Sequence, residues 1–146
     1  MKITMDIASF KVSLDAQRAR ITAATRPAAQ AAAQVIYEQA RLNVRSSRKG
    51  HWFHGTSFKK TGQKYWFDAG TLHDSIYQAF SKDHSGENRA TYHVSWNNRK
   101  APYGAMVEFG TSRAPAHSFL GKAITEVGNR ASEAMKSTFL QMVRSA

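Results

Sequence analysis

The spacing of apolar residues changes along the chain and predicts the order of its first elements. In KITMDIASF, residues 2–10, apolar and polar positions alternate, which predicts a short strand. Good helix formers dominate 14–45, and Ser13 is placed to cap that helix. Pro27 predicts a kink, or a break into two helical pieces near Arg26, because proline lacks an N–H. One face of the second half is apolar, with residues spaced three or four apart: Ala29, Ala33, Ile36, Ala40 and Val44.

The middle of the chain predicts a helical turn followed by two strands. DAGTLHDSI, residues 68–76, has the composition of a short turn of helix that Asp68 or Thr71 could cap. YQAFSKD (77–83) and RATYHVSWN (89–97) alternate as strands do, and a polar turn joins them. We therefore expect an antiparallel pair.

The last third predicts a short helix, a linker and a long amphipathic helix. NNRKAPYGAMVEFG (97–110) ends at Gly110, where a left-handed residue would stop the short helix. The final helix is expected over 118–143, with one apolar face: Leu120, Ile124, Val127, Ala131, Met135 and Met142. This order of elements predicts an α+β fold, in which helices pack on one face of a small antiparallel sheet.

Length and composition are those of a single globular domain spanning 1–146. The chain has 146 residues, 42% of them hydrophobic, and no cysteine, which excludes disulfides and thiolate chemistry. Its start does not have the pattern of a signal peptide, and no apolar run is long enough to span a membrane, so a soluble protein without membrane contact is expected.

The formal net charge of +11 predicts a polyanion or an acidic protein as a partner. Seven of the bases lie within 41–64, and no acid lies between Glu38 and Asp68. The segment 46–67 mixes these bases with aromatics and has no stable period, which predicts a long loop or hairpin. Candidate contacts with DNA or a protein partner are Arg45, Arg48, Lys49, Trp52, Lys59, Lys60, Lys64 and Trp66. The aromatics could equally form a small core of their own, and composition favours neither interpretation.

The sequence offers little support for catalysis or a cofactor. Phosphate-binding, dinucleotide-binding and nucleophile motifs are absent, and the ten acids are dispersed. His51 and His54 have H-x-x-H spacing, but a helical H-E-x-x-H motif is absent, so neither a metal site nor any other cofactor is expected. We expect a protein that is not an enzyme.

Glu108, in VEFGTSRAPAHSFL (107–120), could belong to a reactive site or to a structural joint. An acid near the C-terminus of a helix is disfavoured by the helix dipole, so a basic partner is expected. That partner could be Arg99, Lys100, Arg113 or a base from a neighbouring subunit. We therefore predict a joint in which Gly110 makes the tight turn, with the side chains of Phe109, Phe119 and Leu120 buried beside it.

Two segments resemble a known family. GTLHDSI (70–76) is similar to a G-x-L-x-x-S-I segment of phage head–tail connector proteins. APYGAMVEFGTSRAPAHSFLGKAI (101–124) resembles the Y-A-x-x-V-E-F-G-T … P-A-x-P-F-L-x-x-A segment of the same family, which includes tail-completion and neck proteins of the lambda minor tail protein Z type. Three departures are Gly104, where alanine is common, Ser118, where proline is usual, and the stretch 46–67, which is longer than the typical connection.

The resemblance implies a non-enzymatic structural protein of the virion. Such a chain would be made in the host cytoplasm and would assemble with copies of itself into a ring, hexameric or else dodecameric. The ring would join the tail to the head, meet other neck and tail proteins, and pass DNA through its lumen. In that setting Glu108, Phe109, Gly110, Thr111, Phe119 and Leu120 would serve the turn or a subunit interface. The alternative is a sequence-nonspecific DNA-binding protein that uses 41–64.

Overall fold

A computed structural model describes residues 7–44, 49–55 and 58–145, and these form an α+β fold. Two long helices pack against each other, and two small antiparallel sheets lie beside them. In chain order the elements are α1 (Ile7–Asn43), β1 (His51–His54), α2 (Phe58–Thr61), β2 (Lys64–Phe67), α3 (Thr71–Ser75), β3 (Ile76–Phe80), β4 (Tyr92–Trp96), α4 (Gly104–Phe109) and α5 (Leu120–Ser145).

The chain is already helical at Ile7, so the predicted strand over 2–10 is wrong for its last four residues. The rest of that prediction, 2–6, lies outside the described residues. Ile7, Phe10 and Leu14 are spaced three and four apart, which fits a helix at least as well as a strand. Because α1 starts before Ser13, that residue is interior to the helix and does not cap it.

The helix α1 is continuous through Pro27, so the predicted break into two pieces is wrong. A proline inside a helix removes one backbone hydrogen bond, here the bond that an N–H at 27 would donate to the carbonyl of Ala23. Packing on α5 offsets this loss, since Ala24 and Ala28, on either side of the proline, are both buried.

The predicted apolar face of α1 packs against α5. Ala33, Ala40 and Val44 are buried, and the small alanine side chains let the two helices approach closely. The helices are antiparallel, because residues near the end of α1 contact the beginning of α5. Gln39 donates to the Glu126 carboxylate at 3.0 Å, for example.

The helix α5 buries a narrower face than the sequence predicted. Ala123, Val127 and Ala131 are the buried residues of α5. Ile124, at 58% exposure, and Met135, at 40%, are exposed although both were expected on the apolar face. The buried face of α5 is centred on alanines and not on the larger side chains, because the close contact with α1 requires small side chains.

The sheet β3–β4 has the antiparallel pairing that the sequence predicted. Ile76 lies opposite Trp96 and Phe80 opposite Tyr92. The short helix α3 precedes it as expected, but the predicted caps are wrong. Gly70 occupies the cap position without a side-chain hydrogen bond.

The hairpin β1–β2 forms a second sheet, whereas a single sheet was expected. Trp52 lies opposite Trp66, and α2 connects the two strands. This resolves the choice between a loop and a hairpin for the described part of 46–67 in favour of a hairpin.

The core of the fold lies where α1, α3, β3 and the beginning of α5 meet. Its buried residues share one hydrophobic cluster: Ala40, Val44, Leu72, Ile76, Ala101, Phe119 and Ala123. No helix in the described ranges has the length and apolar character needed to cross a membrane.

Candidate functional site

The carboxylate of Glu108 accepts four hydrogen bonds at the beginning of α5. The Ser118 hydroxyl donates to Oε1 at 2.6 Å, and the backbone N–H of Gly121 donates to the same oxygen at 3.0 Å. The N–H groups of Phe119 and Leu120 donate to Oε2 at 2.7 and 3.0 Å. The residue is 6% exposed, so these bonds replace water almost completely.

The beginning of α5 needs this carboxylate because it has no cap of its own. The first N–H groups of a helix have no partner within the helix. The residue before α5 is Phe119, which has no side-chain acceptor, and the first turn contains no acid. Glu108 supplies the acceptor from α4. A Cβ at Gly121 would lie 2.8 Å from the Ser118 hydroxyl oxygen, so glycine leaves room for this approach.

The environment of Glu108 keeps the group ionised at neutral pH. Burial alone would raise its pKa, but hydrogen bonds from the Ser118 hydroxyl and from the N–H groups of Gly121, Leu120 and Phe119 stabilise the anion. The net effect holds the pKa of Glu108 below its ordinary 4.5. The positive end of the α5 dipole acts in the same direction.

The predicted basic partner from the same subunit is wrong. Glu108 takes part in none of the salt bridges of the described residues, so Arg99, Lys100 and Arg113 do not pair with it. Backbone N–H groups and a helix dipole supply the positive potential instead. A base from a neighbouring subunit stays a prediction. The geometry is that of a structural joint, because hydrogen-bond donors occupy both oxygens.

The turn after α4 requires glycine. Gly110 has φ 76° and ψ −178°, a combination that side chains exclude. Its φ is positive as predicted, although ψ differs from that of a left-handed helical residue. A Cβ there would lie 2.7 Å from the amide nitrogen of Ala116. The next residue, Thr111, donates its N–H to the carbonyl of Ala114 at 2.8 Å and tightens the turn.

Two of the three side chains predicted to be buried at the joint do face the interior. Phe119 is fully buried and contacts the Trp96 ring edge-on, with centroids 5.7 Å apart. Leu120 is half-buried. Phe109 is 75% exposed, so its predicted burial is wrong. Its neighbour Glu108 points inward on this short helix, which turns Phe109 outward.

Sequence reasoning missed the contact between Gly104 and Trp96. A Cβ at Gly104 would lie 2.4 Å from the indole nitrogen of Trp96, so the ring packs directly on the backbone of α4. The one available signal was the glycine where the resembling family commonly has alanine. The Trp96 nitrogen has no hydrogen-bond partner among the described residues.

One face of the β1–β2 hairpin is anchored to the body of the protein through Tyr103. The Tyr103 ring contacts His51, Phe53 and Phe67, with centroids 4.8, 6.0 and 5.0 Å apart. These residues form the small aromatic core that was one of the two interpretations of the segment.

The opposite face of the hairpin exposes aromatic and basic side chains. Trp52 and Trp66 are 53% and 50% exposed and pack edge-on, with centroids 5.3 Å apart. The Lys64 ammonium lies 4.6 Å from the Trp52 ring centroid, a cation–π contact. The Trp66 indole N–H donates to Asp68 at 3.0 Å, which fixes the ring orientation.

The remaining basic candidates divide into described and undescribed residues. Lys59 and Lys60 are exposed on α2, next to the hairpin strands. Lys49 is exposed just before β1. Arg45 and Arg48 lie outside the described residues. The structure therefore brings together Trp52, Trp66 and the lysines of α2 and β2 on one hairpin.

A mostly apolar pocket of about 260 Å³ lies between the end of α1, the hairpin and α3. Apolar side chains, one tyrosine and three histidines are among the residues that line it: Val44, Leu72, Val107, Tyr103, His51, His73 and His117. At its rim Arg41 donates to the Tyr37 hydroxyl at 2.9 Å and to His73 Nε2 at 3.3 Å. His73 Nδ1 lies 2.7 Å from the Asp74 carboxylate. This network joins α1 to α3, and the spacing of Tyr37 and Arg41 was its only sequence signal.

His51 and His54 cannot bind one ion together, because residues three apart in a strand point to opposite faces. Across 7–44, 49–55 and 58–145 no group of three or more metal-binding side chains comes together.

Comparison with known proteins finds no match to this chain among protein families, curated proteins or solved structures.

Proposed function

We propose that this chain is a structural subunit of a phage neck or tail, which forms a ring that completes the tail and joins it to the head. The observation that carries this proposal is where the two resembling segments lie. Leu72 and Ile76 of the first and Ala101 and Phe119 of the second belong to one hydrophobic cluster. Segments that jointly define a fold are expected to meet in its core.

The conspicuous residues of the longer segment have structural tasks, which supports a non-enzymatic role. Glu108 caps α5, Gly110 permits the turn and Phe119 fills the core. The acid that looked most like a catalytic group has its oxygens occupied by donors from its own chain. We propose on this basis that the protein is not an enzyme and takes no cofactor.

The first part of α1 supports assembly with further copies. Every residue from 7 to 21 is exposed, although Ile7, Phe10, Leu14 and Ile21 fall on one side of the helix. A helical segment as short as 7–21 is marginal in water unless its apolar side packs on a partner. In a ring, one face of each subunit meets a different face of the next, and this helical segment would provide one of them.

The charge of +11 would make like subunits repel one another. DNA in the lumen of a ring, or acidic neighbours in the neck, would offset it. Both belong to the proposed setting, in which the protein resides in the virion after synthesis in the host cytoplasm. A hexameric ring is the first expectation and a dodecamer the second.

Light scattering of the purified protein, alone and with phage tails that lack it, tests the proposal. We expect a ring-sized mass alone or on the tails, and restored joining of heads. The double variant Phe10→Ser/Leu14→Ser should reduce assembly while the fold persists. Val12→Ser, on the opposite side of α1, is the matched control and should assemble like the parent. A parent protein that stays monomeric and neither binds tails nor restores joining contradicts the proposal.

The exposed hairpin face favours a second candidate function, a sequence-nonspecific DNA-binding protein that uses 41–64. Because lysines that neutralise phosphates release counterions, DNA affinity should then fall steeply with salt. Charge reversal at Lys59, Lys60 and Lys64 separates the two functions. Lost DNA binding with normal tail joining assigns these lysines to DNA. Undetectable duplex and single-strand binding at low salt contradicts the second candidate.

A further inference from the structure

We propose that the outer face of the β1–β2 hairpin, formed by Trp52, His54, Lys64 and Trp66, is a stacking site for unpaired bases of single-stranded nucleic acid. This inference deepens the second candidate function and rests on it. It adds the form of nucleic acid and the residues that contact bases.

Strand alternation separates this outer face from the face that anchors the hairpin. His51 and Phe53 of β1 point toward Tyr103, so Trp52 between them points away. In the antiparallel register Trp52 lies opposite Trp66. Two large rings therefore stand side by side on the solvent side of a two-stranded ribbon.

The rings are held in place before any ligand arrives. Trp66 is fixed by its hydrogen bond to Asp68 and by Gly50, where a Cβ would lie 2.3 Å from the ring. Trp52 packs at a steep angle against Trp66, and the Lys64 ammonium lies over one face of the Trp52 ring. Each of the two residues is about half exposed. Fixed aromatic surfaces bind with less loss of conformational entropy than mobile ones.

The charge around these rings favours a polyanion over a neutral protein surface. The stretch 49–67 contains no acidic residue, and Lys59 and Lys60 on α2 are exposed. Asp68, just after β2, is the acid that contacts Trp66, and its carboxylate is engaged by the indole N–H. Aromatic surfaces bordered by lysines are the arrangement by which proteins bind single strands without sequence preference. In a duplex the base faces are stacked on one another and closed to the tryptophans. Single strands should therefore bind more tightly than duplex.

Fluorescence anisotropy with a labelled short oligothymidylate, and with a duplex of equal length, tests this inference on the full chain at low salt. We expect tighter binding to the single strand. Trp52→Ala and Trp66→Ala should each weaken single-strand binding by between about 5- and 150-fold, with little effect on duplex binding. Trp52→Phe should restore much of the affinity, because a phenyl ring still stacks. Phe109→Ala, which removes an exposed aromatic elsewhere, is the matched control and should bind like the parent.

The contribution of the lysines is measured separately, through the salt dependence of single-strand binding. Lys59→Gln/Lys60→Gln should make the logarithmic salt dependence of single-strand binding shallower by about 1.4. The charge-matched control Lys82→Gln/Lys136→Gln removes two exposed lysines outside the hairpin and should leave that slope near the parent value.

Several outcomes overturn the inference, and they differ from those that contradict DNA binding as such. Equal affinity for single strand and duplex, with the tryptophan variants unchanged, leaves nonspecific DNA binding intact and removes the stacking site. Equal binding by Trp52→Ala and Trp52→Phe also overturns it. Tryptophan variants that lose tail binding or self-assembly, but keep full nucleic-acid affinity, assign the face to a protein partner. Thermal unfolding of each variant identifies any loss of affinity that arises from misfolding. If Trp66→Ala fails to fold, the comparison of single-strand affinity between Trp52→Ala and Trp52→Phe remains decisive.

Discussion

The Glu108 carboxylate accepts the backbone N–H of Phe119 at 2.7 Å, and this bond joins two helices that are separated by a ten-residue linker. It anchors the beginning of α5 at the point where Phe119 enters the core. The same carboxylate accepts the next two backbone N–H groups, so one side chain replaces the local cap that α5 lacks.

Replacing Glu108 by glutamine should destabilise the protein by about 2 to 4 kcal/mol, because hydrogen bonds to a charged acceptor and a helix cap are lost together. The variant keeps the size of the side chain but turns an amide NH₂ toward N–H donors. Urea unfolding of the two proteins measures the difference. Glu133→Gln, at an exposed position of α5, is the control and should change stability by less than about 0.5 kcal/mol. A Glu108→Gln variant as stable as this control contradicts the cap.

The contribution of Glu108 should depend on pH. Its pKa is lowered in the folded protein, so the unfolded chain holds the proton more tightly. The stabilisation is therefore complete above the ordinary, unfolded-state pKa of 4.5 and is lost as pH falls through the lower pKa of the folded protein. Glutamine does not titrate at this position. The stability gap between parent and Glu108→Gln should narrow as the pH falls below about 5, measured by urea midpoints. A gap that is constant or widens on acidification contradicts the assignment.

Two glycine-to-alanine changes should have opposite effects on the stability of the protein. Gly110→Ala places a Cβ 2.7 Å from a backbone nitrogen at φ 76° and should destabilise by about 1 to 3 kcal/mol. Gly128→Ala lies inside α5 with no atom within 4 Å of the new Cβ and should stabilise by about 0.5 to 1 kcal/mol. Thermal unfolding compares both with the parent. Equal effects of the two changes would refute the role of the turn.

Gly104→Ala should be destabilising because its Cβ would lie 2.4 Å from the Trp96 indole nitrogen. A smaller ring relieves that clash. Gly104→Ala should therefore lower the free energy of unfolding by less in a Trp96→Phe background than in the parent. A double-mutant cycle measured by urea unfolding should therefore give a coupling of about 1 kcal/mol. Strictly additive effects would show that the ring moves aside freely.

The pattern of the sequence was sufficient for the elements whose periodicity is long or strong. The face of α1 that includes Ala33 and Ala40 and the pairing of β3 with β4 follow from apolar spacing alone. The short alternation at 2–10 was misleading, because so few residues fit a strand and a helix alike. Pro27 was misleading for another reason. The cost of a proline in a helix is local, whereas the packing that offsets it comes from α5, which is distant in sequence.

The sequence was sufficient to predict that Glu108 belongs to a structural joint, but not which groups donate to its carboxylate. The position of Glu108 near the C-terminus of a helix indicated that it needs a positive partner, and only basic side chains were considered. The actual donors are mostly backbone N–H groups, which every residue carries and no sequence pattern marks. The exposure of Phe109 likewise depends on which side of a six-residue helix faces the core. The exposed tryptophans of the hairpin depended on strand register, which the irregular segment 46–67 does not define.

Electron cryomicroscopy of the neck of a phage particle that contains this chain is the decisive test of the proposed ring. We expect a closed ring of identical subunits at the junction of head and tail, hexameric or else dodecameric, with DNA on its axis. The exposed first turns of α1 should contact the neighbouring copy. The absence of this chain from the junction, or its presence there as isolated copies without contacts between them, would rule out the proposed ring.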